Sequence, residues 1–169
     1  MWVLMAQDEI MQNLLPHWVH TDADSSGHRG DGLNFIRDRD GLMHVEVGPI
    51  GSRLLRGYRH AVGAMARAGN DVLVDEAMFD PEGWSEWATA LAGLSVTWVK
   101  VDCDLAVSEQ RERERPDRRE IWGLARGQYS LVHARVEYDL TVDTTNAPTT
   151  ECAEQLLHAL RTESGLSSR

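Results

Sequence analysis

Residues 69–84 read GNDVLVDEAMFDPEGW. Val72 to Val74 make a short apolar, β-branched run of strand type, closed by an acid at Asp75. Gly69 stands just ahead of that run, where a helix would end. Asp80 and Pro81 stand just behind it, where an N-cap and a first helical residue belong. Further back, Tyr58, Ala61, Val62 and Met65 recur at i, i+3, i+4, i+7; further on, Trp84, Trp87, Ala88 and Leu91 repeat the spacing. One continuous stretch thus spells helix, strand, helix.

The same alternation extends outward. Strand-like runs fall at Trp2 to Ala6, Ser95 to Val101 and Tyr138 to Val142, and Ala153, Leu156, Leu157 and Leu160 make a last helical face after Pro148. Strands alternating with amphipathic helices predict an α/β fold, a parallel sheet flanked by helices on both faces. Residues 20–51 interrupt the pattern. There "TDADSSGHRGDG" is rich in turn formers, and apolar residues on both sides of Asp40-Gly41 predict a hairpin over about 32–48 that decorates the rim of the sheet. One domain is expected over 1–162, with 163–169 as a frayed tail.

A chain of 169 residues, 42% hydrophobic, is long enough for one substantial core. No apolar run approaches the length of a membrane span, and no basic, cleavable leader follows Met1, so a cytoplasmic protein with no membrane partner is expected. A net charge of −10 argues against a nucleic-acid partner, which needs a concentrated positive face. Cys103 and Cys152 lack metal-ligand spacing and read as small buried hydrophobes.

Four acids, Asp8, Asp75, Asp102 and Asp143, stand at or just past the carboxyl ends of the strand-like runs. That edge of an open parallel sheet is where ligands bind, although Asp also suits turns and N-caps for purely structural reasons. Asp75 is the most pointed of them, because "VLVDE" resembles the apolar strand and acid that hold magnesium in phosphate-loop nucleotide enzymes. A second feature is "RERERPDRRE" at 111–120, carrying Arg111, Arg113, Arg115, Arg118 and Arg119. It reads either as a solvated helix with ion pairs worth about 0.3 to 0.5 kcal/mol each, or as a lid over about 111–122, hinged at Pro116. In a lid, guanidinium groups meet phosphate oxygens.

Other motifs fail on spacing. Asp22, Asp24, Ser26 and Gly27 open like a calcium loop, but its twelfth position is Leu33 instead of a bidentate Glu. The glycines of "SSGHRGDG" have no strand before them and no Gly-Lys-Ser/Thr after them, and Lys100, the single lysine, lies inside a strand-like run. The histidines form no ligand set, which disfavours a metal-dependent hydrolase, and no Gly-x-Ser-x-Gly elbow is present.

The blocks "AMARAGNDVLVDE" (64–76), "VDCDLAVSEQRE" (101–112), "GLARGQ" (123–128), "VEYDLTVDTT" (136–145) and "ECA" (151–153) occur in an order and spacing that resembles the chloramphenicol phosphotransferase family of small phosphate-loop kinases. The resemblance implies a fold like that of shikimate and adenylate kinases, ATP and magnesium as cofactors, and phosphate transfer to a primary hydroxyl of chloramphenicol or a similar small molecule. It implies that Asp8 takes the proton of the acceptor hydroxyl and that Asp75 supports magnesium. Arg115 and Arg118, with Arg111 third, would meet the transferring phosphate. Glu76, Met78 and Phe79, next along the chain from Asp75, would line the acceptor pocket, though core packing suits Met78 and Phe79 equally well.

Two departures accompany the resemblance. The family begins with a strand and a Gly-Lys-Ser phosphate loop ahead of the strand like Trp2 to Ala6. The expectation is therefore a kinase-like fold missing its first strand and phosphate loop, and an upstream extension of roughly 20 to 30 residues. In the lid, Pro116 stands where the family has glycine, and "REIW" lengthens the link from Arg118 to Gly123. A non-catalytic relative that serves as a binding or interaction module is the alternative.

Overall fold

A computed structural model describes residues 2–12, 18–21, 30–80, 82–134 and 136–163. The stretch containing Asp22, Asp24, Ser26 and Gly27, together with Pro81 and residues 164–169, lies outside the described residues. Strand β1 (Trp2–Ala6) leads directly into helix α1 (Gln7–Gln12), and pairs in parallel with β5 (Asp71–Asp75), Ala6 opposite Asp75. That register sets Asp8 and Asp75 at one edge. Between the paired strands run β2 (Val19–Thr21), β3 (Leu33–Arg37), β4 (Met43–Val47) and α2 (Pro49–Arg67). After β5 come α3 (Gly83–Ala90), β6 (Val99–Asp102), α4 (Leu105–Glu114), a 3-10 turn over Pro116–Ile121, α5 (Leu124–Gln128), β7 (Leu140–Asp143) and α6 (Thr149–Glu163).

The core lies where α2 and α3 cover β1 and β5. Tyr58, Val62, Trp87 and Ala90 are buried there, and Met5, Val72 and Val74 point into them from alternate strand positions. Trp2, Leu4 and Leu73 point the other way and stay more than half exposed. Helices on both faces are expected from the sequence, whereas among the described residues this pair is covered on one face. The strands likewise fall into three small sheets, β1-β5, β2-β3-β4 and β6-β7. The β6-β7 pair is parallel, Val99 opposite Leu140 and Asp102 opposite Asp143, and α6 buries Cys152 near its Val142.

Trp98 ties the two parallel pairs to one core. Its backbone amide donates to Asp139 Oδ2 at 2.7 Å, its carbonyl accepts from the amides of Asp139 and Leu140, and its ring packs on Trp84 and Trp87 of α3. The expected hairpin is present as β3 and β4, antiparallel around Asp38–Leu42. Asp38 Oδ1 accepts the amides of Asp40 and Leu42 there. Helix α2 begins at Pro49, earlier than its heptad-like face, and ends before Gly69 at φ +91. Asp80 is not the cap of α3: Glu82 holds that position, because the Asp80 carboxylate is taken by Arg59. No described helix is long and apolar enough to cross a membrane.

Candidate functional site

The carboxyl ends of β1 and β5 open onto a cavity of about 490 Å³. Asp8 and Asp75 border it from the strand ends, Phe35 and Val45 from the β3-β4 hairpin, and Arg111 and Arg115 from α4 and its end. Two acids and two guanidinium groups from separate elements therefore converge, together with Phe79 from the loop after β5. The other arginine expected at the phosphate, Arg118, has its backbone in the 3-10 turn, and its side chain lies outside the described atoms.

Arg111 is held in place. Its Nη2 donates to the Thr144 carbonyl at 2.6 Å, and its Nη1 to Thr144 Oγ1 and Cys103 Sγ, both at 3.3 Å, which fixes it against the end of β7. Helix α4 stops at Glu114, and Pro116 opens the 3-10 turn, as its missing amide donor requires. Glu112 bridges α4 to α5: its carboxylate accepts the Gly123 and Ala125 amides, both at 3.0 Å. Those amides are donors that the first turn of a helix leaves free.

Glu76 and Met78 are placed elsewhere than the cavity wall. Glu76 follows Asp75 on the strand, so its side chain turns to the opposite face and enters the core. There it accepts from Arg59 and, at 3.0 Å, from Trp87 Nε1. Arg59, 1% exposed, also donates to Asp80 Oδ2 at 2.9 Å and sits over the Trp87 ring. Burial by itself would lower the Arg59 pKa, but its hydrogen bonds to the Asp80 and Glu76 carboxylates outweigh it and raise it. Burial raises the Glu76 pKa, with Arg59 pulling against it. Met78 packs against the Tyr58-Trp87 cluster.

Among the polar residues of this wall that sequence reading missed are Gln7, Gln128, Tyr129 and His133. Tyr129 donates its hydroxyl to the Cys103 carbonyl at 3.1 Å. His133 Nδ1 lies 2.7 Å from the Tyr138 hydroxyl, and burial, aided by the Lys100 charge and opposed by Asp102, holds its pKa below 6.5. "GLARGQY" carries two of the four, but nothing in its spacing announces a cavity wall. Among the described residues no three His, Cys, Asp or Glu side chains come close enough to hold a metal by themselves. A lone carboxylate such as Asp75 suits magnesium that arrives with phosphate oxygens and water around it.

Parallel strands with acids at their carboxyl ends and arginines facing them make an edge of the kind at which open α/β sheets bind ligands. The sequence matches the family described as chloramphenicol phosphotransferase-like protein over residues 1–161, and the chain belongs to that family. It is 31% identical over 121 residues to two proteins of Mycobacterium tuberculosis, from strains CDC 1551 and H37Rv, both named provisionally as O-phosphotransferases. Each match covers 70% of this chain and 53% of the relative, so the chain spans about half the length of the curated relatives it matches.

Proposed function

We propose that the protein is an ATP-dependent O-phosphotransferase acting on a primary hydroxyl of a small molecule, with chloramphenicol the first acceptor to test. The observation that carries this reading is the convergence of Asp8, Asp75, Arg111 and Arg115 on one cavity at the carboxyl ends of β1 and β5. ATP with magnesium supplies the phosphoryl group when bound. Asp8 accepts the proton of the acceptor hydroxyl. Asp75 would hold magnesium directly or through water, and Arg115, with Arg118, would neutralise charge on the phosphoryl oxygens. Arg111, already bonded to Thr144 and Cys103, holds the wall behind them.

The 169 residues contain no Gly-x-x-x-x-Gly-Lys-Ser/Thr, so the cradle for the β- and γ-phosphates does not fit any segment present. We propose that a further strand carrying that loop pairs between β5 and β6 and joins the two parallel pairs. The half-length coverage of the relatives and the exposure of Leu73 and Val101 favour such a strand. The same exposure favours a second reading, in which another protein covers this face and the family member is a non-catalytic interaction module.

A single experiment separates them. The native protein, its intact mass first determined, is incubated with radiolabelled ATP, magnesium and chloramphenicol or a panel of hydroxylated small molecules. Label transfer to an acceptor hydroxyl is expected; absence of both transfer and any Mg-ATP thermal shift would leave the interaction module.

A further inference from the structure

His133 borders the cavity from the turn that continues α5, where the Leu131 and Val132 amides still donate to the Gln128 carbonyl. Only half of its hydrogen-bonding capacity is spent. Nδ1 lies 2.7 Å from the Tyr138 hydroxyl, whereas Nε2 has no partner among the described residues and stays open to solvent. Tyr138 decides which nitrogen carries the hydrogen. Burial keeps the phenol protonated, and its hydroxyl has no other acceptor among the described residues, so it donates to Nδ1. A neutral ring whose Nδ1 accepts carries its hydrogen on Nε2.

The charges around the ring favour an anion. Lys100 and Asp102 are paired at 3.0 Å, yet the lysine acts on His133 more strongly than the aspartate, so the ring stands in a net positive field. From α4 and its end, Ser108, Arg111 and Arg115, spaced i, i+3, i+7 on one face, border the same cavity. Ser108 Oγ is a second open group without a partner among the described residues. Glu112, the acid of that face, spends both carboxylate oxygens on the Gly123 and Ala125 amides. An uncharged N–H in such surroundings suits an anionic oxygen. A cation would be repelled, and a ligand N–H would leave the Nε2 hydrogen unanswered.

We propose that His133 is an oxyanion-binding residue of the cavity, its Nε2–H donating to an oxygen of a phosphate-type group and its tautomer set by Tyr138. The ring gives a hydrogen bond and takes no proton from the ligand. Naming that group the transferring phosphate rests on the function proposed above; the oxyanion site itself does not.

The test is ring NMR of the full native protein with isotope-labelled histidine. Inorganic sulfate is the probe, because it has the phosphate shape and does not titrate near neutrality, and chloride at equal ionic strength is the control. At neutral pH His133 is expected as the Nε2–H tautomer. Sulfate is expected to raise its midpoint by about one pH unit, since a nearby anion favours the charged ring. The exposed His60 and His158 are expected to stay where they are. Tyr138→Phe, which releases Nδ1, is expected to raise the sulfate concentration needed by about fivefold. An Nδ1–H tautomer, an unmoved midpoint, a rise shared equally by His60 and His158, or an unchanged sulfate response in Tyr138→Phe overturns the site. Should that variant not fold, the readings on the native protein decide alone. Phosphoryl transfer is measured separately. A sulfate response without transfer sinks the kinase reading alone, and transfer without the response sinks the His133 site alone.

Discussion

Buried at 1% exposure, Arg59 holds Glu76 and Asp80 at once and so pins the loop that carries Phe79 to the cavity. Arg59→Met would strand two buried carboxylates, and urea denaturation should show a loss of about 3 to 5 kcal/mol. Combining it with Glu76→Gln and Asp80→Asn should return part of that loss. In α1, on the proposed function, Asp8→Asn should cut turnover by about 10²- to 10⁴-fold with Mg-ATP affinity retained, as steady-state kinetics of the native protein would register. Unaltered turnover would remove Asp8 as the base. His133 supplies a pH dependence. Its pKa in the fold lies below the ordinary 6.5, so the unfolded chain takes up the proton first as pH falls. Its contribution is therefore whole above about pH 6.5 and lost as pH drops toward the folded value. NMR titration of the ring should give the lowered midpoint, and His133→Asn should flatten the stability slope in that window. The strand-end acids were legible in the sequence because position along a strand is. The turn of Glu76 into the core follows from strand alternation, which puts it opposite Asp75. Gln7 and Gln128 were not legible, since glutamine has no characteristic spacing and only the packing of α5 on β4 brings the second one to the wall.

At the scale of elements, α5 rests on β4 backbone to backbone at Gly127. Gly127→Ala would drive a methyl into the Met43 carbonyl, and the expected cost is about 1 to 3 kcal/mol by denaturation. Elements whose signal is local were readable: Trp2 to Ala6 coincides with β1, the Asp40-Gly41 turn sits in the β3-β4 hairpin, and Pro148 precedes α6. Boundaries set from afar were not. β6 begins at Val99, later than the apolar run from Ser95, because Trp98 leaves the sheet to pack on α3. β2 is a three-residue strand in turn-rich sequence, and only pairing with β3 gives it away.

At the scale of the molecule, one face of the β1-β5 pair keeps apolar side chains in water. Leu4 and Leu73 are register partners, 59% and 55% exposed, with Trp2 beside them. A patch of this kind marks a surface meant to be covered. The 169-residue chain should bind anilinonaphthalene sulfonate and self-associate, and Leu4→Thr with Leu73→Thr should reduce both; unchanged dye binding would place the accessible apolar surface elsewhere. The tryptophans offer a way to watch the whole. Trp84 on α3 and Trp98 at the head of β6 have ring centroids 4.7 Å apart, and they belong to different halves of the fold. Rings that close share their electronic excitation, so the pair should give a split circular-dichroism band that vanishes when the halves part. The protein thereby carries its own optical gauge of whether β6 and β7 are docked.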